Sequence, residues 1–248
     1  MMHEQLVIPA ADGPCPAHLF LPDGEGQWPA VIVYMDALAI RPTMIDLAAR
    51  IAAAGYVVLL PDLFYRHGPY APIVASEIKD FRAEIGPLMA TIDNRKAAAD
   101  TAQFLAFLDT RPDVKGRKVG VTGYCMGGGM ALTAAATFPD RIVAAASFHG
   151  GSLATDAADS PHLLAPQIAA EIYVAGADRD RAYPPEMAER LETALTEAGV
   201  THRCEIYAGA IHGWTMNDLP IYNQPAAERA FAELIALFAR TLGQVGNA

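Results

Sequence analysis

The sequence is poor in cysteine, poor in positive charge and without a long apolar run. Its 248 residues hold 3 Cys, too few for the disulfide framework of a small secreted domain. Lys and Arg number 18 against 28 Asp and Glu, a net charge of −10. Such a balance argues against nucleic acid and anionic membrane surfaces as partners. No apolar run approaches the ~20 residues of a membrane helix, and the polar opening Met1-Met-His-Glu-Gln-Leu6 does not read as a secretory signal. No pair of His and Cys has ligand spacing, so no metal site is expected. Neither internal repeats nor low-complexity blocks nor linkers divide the chain. The absences leave a reduced, cytoplasmic, globular protein of ordinary composition, 52% hydrophobic and 19% charged, expected as a monomer or small homo-oligomer.

Apolar patterning organises what is there. Residues 5–9 and 16–21 read as two strands joined by the turn-rich Ala10-Ala-Asp-Gly-Pro14. Residues 30–35, 56–60, 142–148 and 171–175 are continuous apolar runs, the signature of parallel strands buried on both faces. Between them lie helical patterns starting at Pro42 and at Asn94, then over residues 184–198 and 226–242; residues 202–207 form the last strand. Strands alternating with helices at these spacings predict one α/β domain over residues 1–248, its mostly parallel sheet covered by helices on both faces.

The most informative stretch is Lys118-Val-Gly-Val-Thr-Gly-Tyr-Cys-Met-Gly-Gly-Gly-Met130. A short strand pattern breaks at Gly123, and a helical pattern starts at Gly127. Gly123-Tyr-Cys-Met-Gly127 therefore has the form G-x-nucleophile-x-G at a strand-to-helix turn, with Cys125 where Ser is usual. Small flanking residues leave room for a strained central residue, and the helix N-terminus favours a reactive thiol there. Cys15 and Cys204 sit in strand-like surroundings and read as packed thiols.

Functional residues of such sheets gather at the carboxyl ends of strands. Three titratable residues fall there, Cys125, Asp178 and His212 in chain order, the order of nucleophile, acid and base in α/β hydrolases. A thiol needs an imidazole to take its proton and return it to a leaving group, and the imidazole needs a carboxylate to fix its tautomer. Asp180 in the same segment rivals Asp178, and His149, which also follows a strand, rivals His212.

These segments resemble the dienelactone hydrolase family of the α/β-hydrolase superfamily. Gly-Tyr-Cys-Met-Gly-Gly carries most of the likeness, with Pro61-Asp-Leu-Phe-Tyr65, Gly176-Ala-Asp178 and the Gly-x-x-His-Gly form ending at Gly213. The resemblance implies a single-domain α/β-hydrolase fold, no cofactor, and a triad of Cys125, Asp178 and His212. It implies an oxyanion hole made by the backbone N–H groups of Met126 and Ala37, and it places Asp36, where well-known members have Glu, against the resting thiol.

The expected activity is hydrolysis of a small ester or lactone through an acyl-thioester. Known members bind a substrate carboxylate with Arg, one of them four residues after the triad His; that position is Met216 here. Arg66, Arg82 and Arg95 are possible replacements, Tyr124 and Trp214 candidate pocket walls. Met216 argues for a neutral xenobiotic ester or thioester as the alternative substrate. From another class, the chain could be a non-catalytic ligand-binding or redox-sensing thiol protein.

Overall fold

The computed structural model describes residues 1–243. Eight strands form one sheet: β1 (Met2–Ala10), β2 (Gly13–Leu21), β3 (Trp28–Tyr34), β4 (Val57–Pro61), β5 (Val114–Tyr124), β6 (Ile142–Phe148), β7 (Glu171–Arg179) and β8 (His202–Ile211). Their spatial order is β1-β2-β4-β3-β5-β6-β7-β8. The β1–β2 hairpin turns at Ala11-Asp12 and pairs antiparallel, as does β2 with β4; every other neighbour is parallel. The continuous apolar runs become the central strands β3, β4 and β6, buried along almost their whole length.

The long helices are α1 (Pro42–Ala53), α4 (Asn94–Asp109), α5 (Met126–Thr137), α6 (Pro185–Glu197) and α7 (Gln224–Thr241), with two single-turn helices between β4 and α4, α2 (Phe81–Glu84) and α3 (Gly86–Met89). Arg50 of α1 pairs with Glu228 of α7 and lies over Phe231, which joins those two helices on one face. Helix α4 packs on α5 against the other. Asp93 caps α4 by accepting from Lys96 N–H, and Asn223 caps α7 by accepting from Ala226 N–H, so each start is set by a side chain the sequence supplies at the N-cap. Helix α5 has almost no exposed side because it runs down the middle of the protein, against β5 and β6.

Two boundaries differ from the sequence reading, with consequences for the site. Strand β7 runs four residues beyond Ala175 to Arg179, and β8 runs four beyond Tyr207 to Ile211, the two pairing to the end across a register shift between Ala177 and Arg179. Polar and small residues there break the apolar pattern without breaking the ladder. No helix among the described residues is long and apolar enough to cross a membrane.

Candidate active site

The turn between β5 and α5 holds Cys125 at φ 55° and ψ −117°, a left-handed conformation that costs on the order of 1–3 kcal/mol for a residue with a side chain. Close packing around the turn maintains it. A Cβ on Gly123 would stand 1.8 Å from the carbonyl oxygen of Gly127, and one on Gly127 would stand 2.3 Å from that of Tyr34. Only glycine lets the first turn of α5 lie this close to β5 and β3.

Cys125 Sγ lies 3.1 Å from His212 Nε2, and His212 Nδ1 lies 2.7 Å from Asp180 Oδ2. The three side chains come from the ends of β5, β7 and β8, as parallel topology predicts. Burial works against a charged His212, but its hydrogen bonds to Asp180 and Cys125 prevail and its pKa is pushed up to about 10.

Here the acid expectation is corrected. Asp178 lies within β7, is exposed, and accepts a hydrogen bond from Gly209 N–H of β8. Because β7 continues to Arg179, the first carboxylate beyond the strand is Asp180. Its side chain is buried, with one oxygen on His212 and the other fixed by Ala182 N–H at 2.8 Å. The sequence offered both aspartates, and counting from Ala175 as the strand end selects the one that does not reach His212.

The rival imidazole, His149, has a different place. It follows β6 at φ 40° and is wholly buried. Its Nδ1 accepts from the Cys125 backbone N–H at 3.2 Å, so Nε2 carries the proton and donates to Thr215 Oγ1 at 2.7 Å. Burial first, then the neighbouring His212, hold its pKa well below that of a free imidazole. With its lone pair committed to the backbone, His149 is not available as a base toward Sγ.

Asp36 is also corrected. Its Oδ1 accepts from Leu38 N–H at 2.9 Å and Arg41 Nη1 at 2.7 Å, and its Oδ2 from Arg41 Nη2 at 2.9 Å. The short carboxylate is captured by a buried guanidinium five residues on, and no hydrogen bond to Cys125 Sγ exists among the described residues. Arg41 reaches across to Asp218 beyond His212, joining the loop after β3 to the loop after β8. Nothing in the sequence pattern announced this pair, since each partner looks like a loop residue on its own.

Of the expected oxyanion donors, Met126 is the first residue of α5, where helical N–H groups lack intrahelical acceptors. Ala37 lines the cavity in front of Sγ. In that loop the N–H groups of Leu38 and Ala39 are taken by Asp36, and no acceptor stands against that of Ala37 among the described residues.

The cavity encloses about 320 Å³, bounded by Ala37, Leu38, Phe81, Met89, Gly213 and Leu219 around Cys125, His212, His149 and Asp36. The expected aromatic walls lie elsewhere. Trp214 is fully buried, stacked on Tyr207 and edge-on to His149; Tyr124 stacks on Phe148 and faces a separate cavity beside Thr215 and Tyr222. Met216 is in the core. Arg66 is bound to Asp100 and Asp12, whereas Arg82 and Arg95 are exposed and make no ion pair among the described residues. Phe81, Met89 and Leu219 went unnoticed because the segments that carry them have no periodicity.

Burial puts the Cys204 thiol up to about 12 and that of Cys15, which faces the carbonyls of Pro16 and Asp62, higher still. No group of three or more His, Cys, Asp or Glu among the described residues is arranged to hold a metal.

The model of the dienelactone hydrolase family matches residues 15–242. A Synechocystis protein provisionally named a carboxymethylenebutenolidase is 28% identical over 244 residues, covering 94% of both chains. A carboxymethylenebutenolidase from Pseudomonas sp. is 33% identical over 137 residues, 55% of this chain and 56% of its own. Among solved structures, a Klebsiella pneumoniae protein provisionally named a dienelactone hydrolase superposes with a TM-score of 0.86 at 23% identity, covering 96% of this chain and 98% of its own.

Proposed function

Because the chain belongs to the dienelactone hydrolase family and is thereby an ester or lactone hydrolase, we propose that it works through a Cys125–His212–Asp180 triad and an acyl-thioester. One observation carries this reading: the unbroken relay from Sγ to Nε2 at 3.1 Å and from Nδ1 to Asp180 at 2.7 Å. His212, its pKa raised despite burial by its two partners, takes the thiol proton before the attack, and Sγ attacks the carbonyl carbon as a thiolate. The tetrahedral oxyanion accepts from the N–H groups of Met126 and Ala37, each worth roughly 2.7–4 kcal/mol of barrier. When the C–O bond breaks, His212 gives its proton to the departing alkoxide, leaving the acyl group on sulfur. A water molecule then attacks the thioester carbonyl and gives a proton to His212; the C–S bond breaks, the acid is released, and sulfur is left as the thiolate beside the imidazolium. Asp180 keeps Nε2 facing Sγ and stabilises the imidazolium in both halves.

A small neutral or lactonic ester is the substrate, with no cofactor in any step. The sensor alternative is disfavoured by the same relay, since a redox thiol has no need of a buried carboxylate behind its imidazole. Mass spectrometry after rapid mixing with a para-nitrophenyl ester is expected to find the acyl group on Cys125. Turnover by Cys125→Ala at the wild-type rate overturns the proposal.

A further inference from the structure

We infer that the cavity in front of Cys125 seats a neutral, apolar acyl group and rejects an acyl group that ends in a carboxylate. The inference rests on the acyl-enzyme reading above and adds the substrate class. Three observations support it independently of one another.

First, beyond the triad the side chains of Ala37, Leu38, Phe81, Met89 and Leu219 donate no hydrogen bond, and the polar side chains that share the lining are committed elsewhere, His149 Nε2–H to Thr215 and Asp36 to Arg41. A carboxylate placed there loses its hydration and gains nothing in return.

Second, the cation held by Asp36 of the cavity lining is fully committed. Arg41 has five N–H donors, and all five are engaged: Nε and one on Nη2 with Asp218, one on each Nη with Asp36, and the last on Nη1 with the carbonyl of Ala39. One guanidinium between two carboxylates leaves the cluster negative. Despite partial burial, which works the other way, hydrogen bonding to Arg41 holds Asp218 below the usual carboxylate range, so that negative charge persists at neutral pH. An anionic tail would approach an excess of its own sign.

Third, Met216, on the loop that follows His212, is buried in the core and is not among the residues that line the cavity. It supplies no cation, and no side chain there could supply one without burying a charge.

The acyl portion, not the alcohol, is the part that requires this seat. It is bonded to Sγ from the first half-reaction to the end of the second, whereas the alcohol of an open-chain ester leaves after the first and that of a lactone stays part of the acyl group. Phe81, 49% exposed at the rim, gives the cavity a lipophilic mouth.

The test uses two esters of one acyl length: para-nitrophenyl hexanoate, ending in a methyl group, and the mono-para-nitrophenyl ester of adipic acid, ending in a carboxylate. The hexanoate is expected to have kcat/KM higher by roughly a hundredfold, the consequence of desolvating an unpaired carboxylate. Met89→Lys, which replaces one unbranched side chain by another with an ammonium at its end, is expected to move the ratio toward the adipate by about tenfold or more. Leu219→Lys repeats that test from the loop after β8 should the first variant fail to fold. An adipate preference in wild type, lost in Arg82→Ala, overturns the inference and assigns the carboxylate to that exposed arginine. A ratio unmoved by either lysine overturns it too, because the tail then lies outside the cavity. Mass spectrometry of Cys125 separates the two levels. Acyl-Cys125 with an adipate preference refutes the substrate class alone; turnover without acyl-Cys125 refutes the mechanism beneath it.

Discussion

His149 closes β6 and His212 closes β8, their ring centroids 5.3 Å apart, yet the two loops give one side chain type opposite properties. His212 is partly exposed beside the cavity and faces two groups that favour its protonated form, a carboxylate on one nitrogen and sulfur on the other. His149 is wholly buried among Trp214, Tyr124 and the backbone. Its acceptor nitrogen holds the Cys125 N–H and its donor nitrogen holds Thr215. One imidazole is built to exchange a proton, the other to keep its own. Chemistry at strand ends thus depends less on residue type than on which partner reaches each nitrogen.

The sharpest way to break this comparison is to remove each ring. His212→Ala is expected to lower kcat by about three to four orders of magnitude, while His149→Asn, whose amide oxygen can still accept from Cys125 N–H, retains activity within roughly tenfold. Steady-state kinetics on a chromogenic ester reads both. Activity that survives loss of His212 but not of His149 would exchange their roles.

The carboxylates provide a second contrast. Asp180→Asn is expected to lower kcat by about two to four orders of magnitude, because the amide no longer enforces the working tautomer of His212. Asp178→Asn changes only a hydrogen bond to Gly209 at the exposed strand end and is expected to leave kcat within about threefold. Equal effects would mean that the segment can swing either residue toward His212.

That second contrast also marks how far the sequence could be read. The parallel core was legible because residues 30–35 and 142–148 are apolar on both faces, and the elbow because Gly123 and Gly127 bracket Cys125 at a change of period. The choice between Asp178 and Asp180 was not legible. It depends on where β7 stops, and the β7–β8 ladder persists through residues too small and polar to announce a strand. Asp36 illustrates a different limit. The family resemblance implied a place against the thiol, but a buried carboxylate goes to the strongest partner in reach, and Arg41 offers two parallel N–H groups. The apolar wall from α2, α3 and the loop after β8 could be found only in three dimensions, since Leu219 is far in sequence from Phe81 and Met89 and the three follow no repeat.

A smaller effect tests whether His149 acts through the backbone of the nucleophile. Removing its acceptor leaves the Cys125 N–H with only the Phe148 carbonyl, 3.1 Å away, in a turn already strained. His149→Ala is expected to reduce kcat by roughly tenfold more than His149→Asn does, with KM little changed. The kcat pH profile should keep its midpoints in both variants, because the ring supplies no proton to the reaction. A displaced midpoint in His149→Ala would make it a participant in proton transfer.

The smallest expected effect is on stability, and its sign separates the two rings. The folded-state pKa of His149 lies well below the ordinary value of 6.5. Above pH 6.5 the ring is neutral whether the chain is folded or not, and its contribution is complete. Below pH 6.5 the unfolded chain binds a proton that the folded one refuses, so stability falls with pH by up to about 1.4 kcal/mol per unit until the folded ring titrates. His212, raised to about 10, contributes in the opposite sense: fully below pH 6.5, and progressively less as pH rises from there toward 10. His18 and His162 are also held low, each chiefly by burial, and slope the same way as His149, but they are common to wild type and variant and cancel in the difference. Urea unfolding of wild type and His149→Asn is therefore expected to give a stability difference that is constant above pH 7 and shifts against wild type by about 1 kcal/mol between pH 6.5 and 5.5. Parallel curves across that interval would mean that His149 accepts a proton in the folded protein, and with it that the Cys125 N–H is not held by a neutral ring.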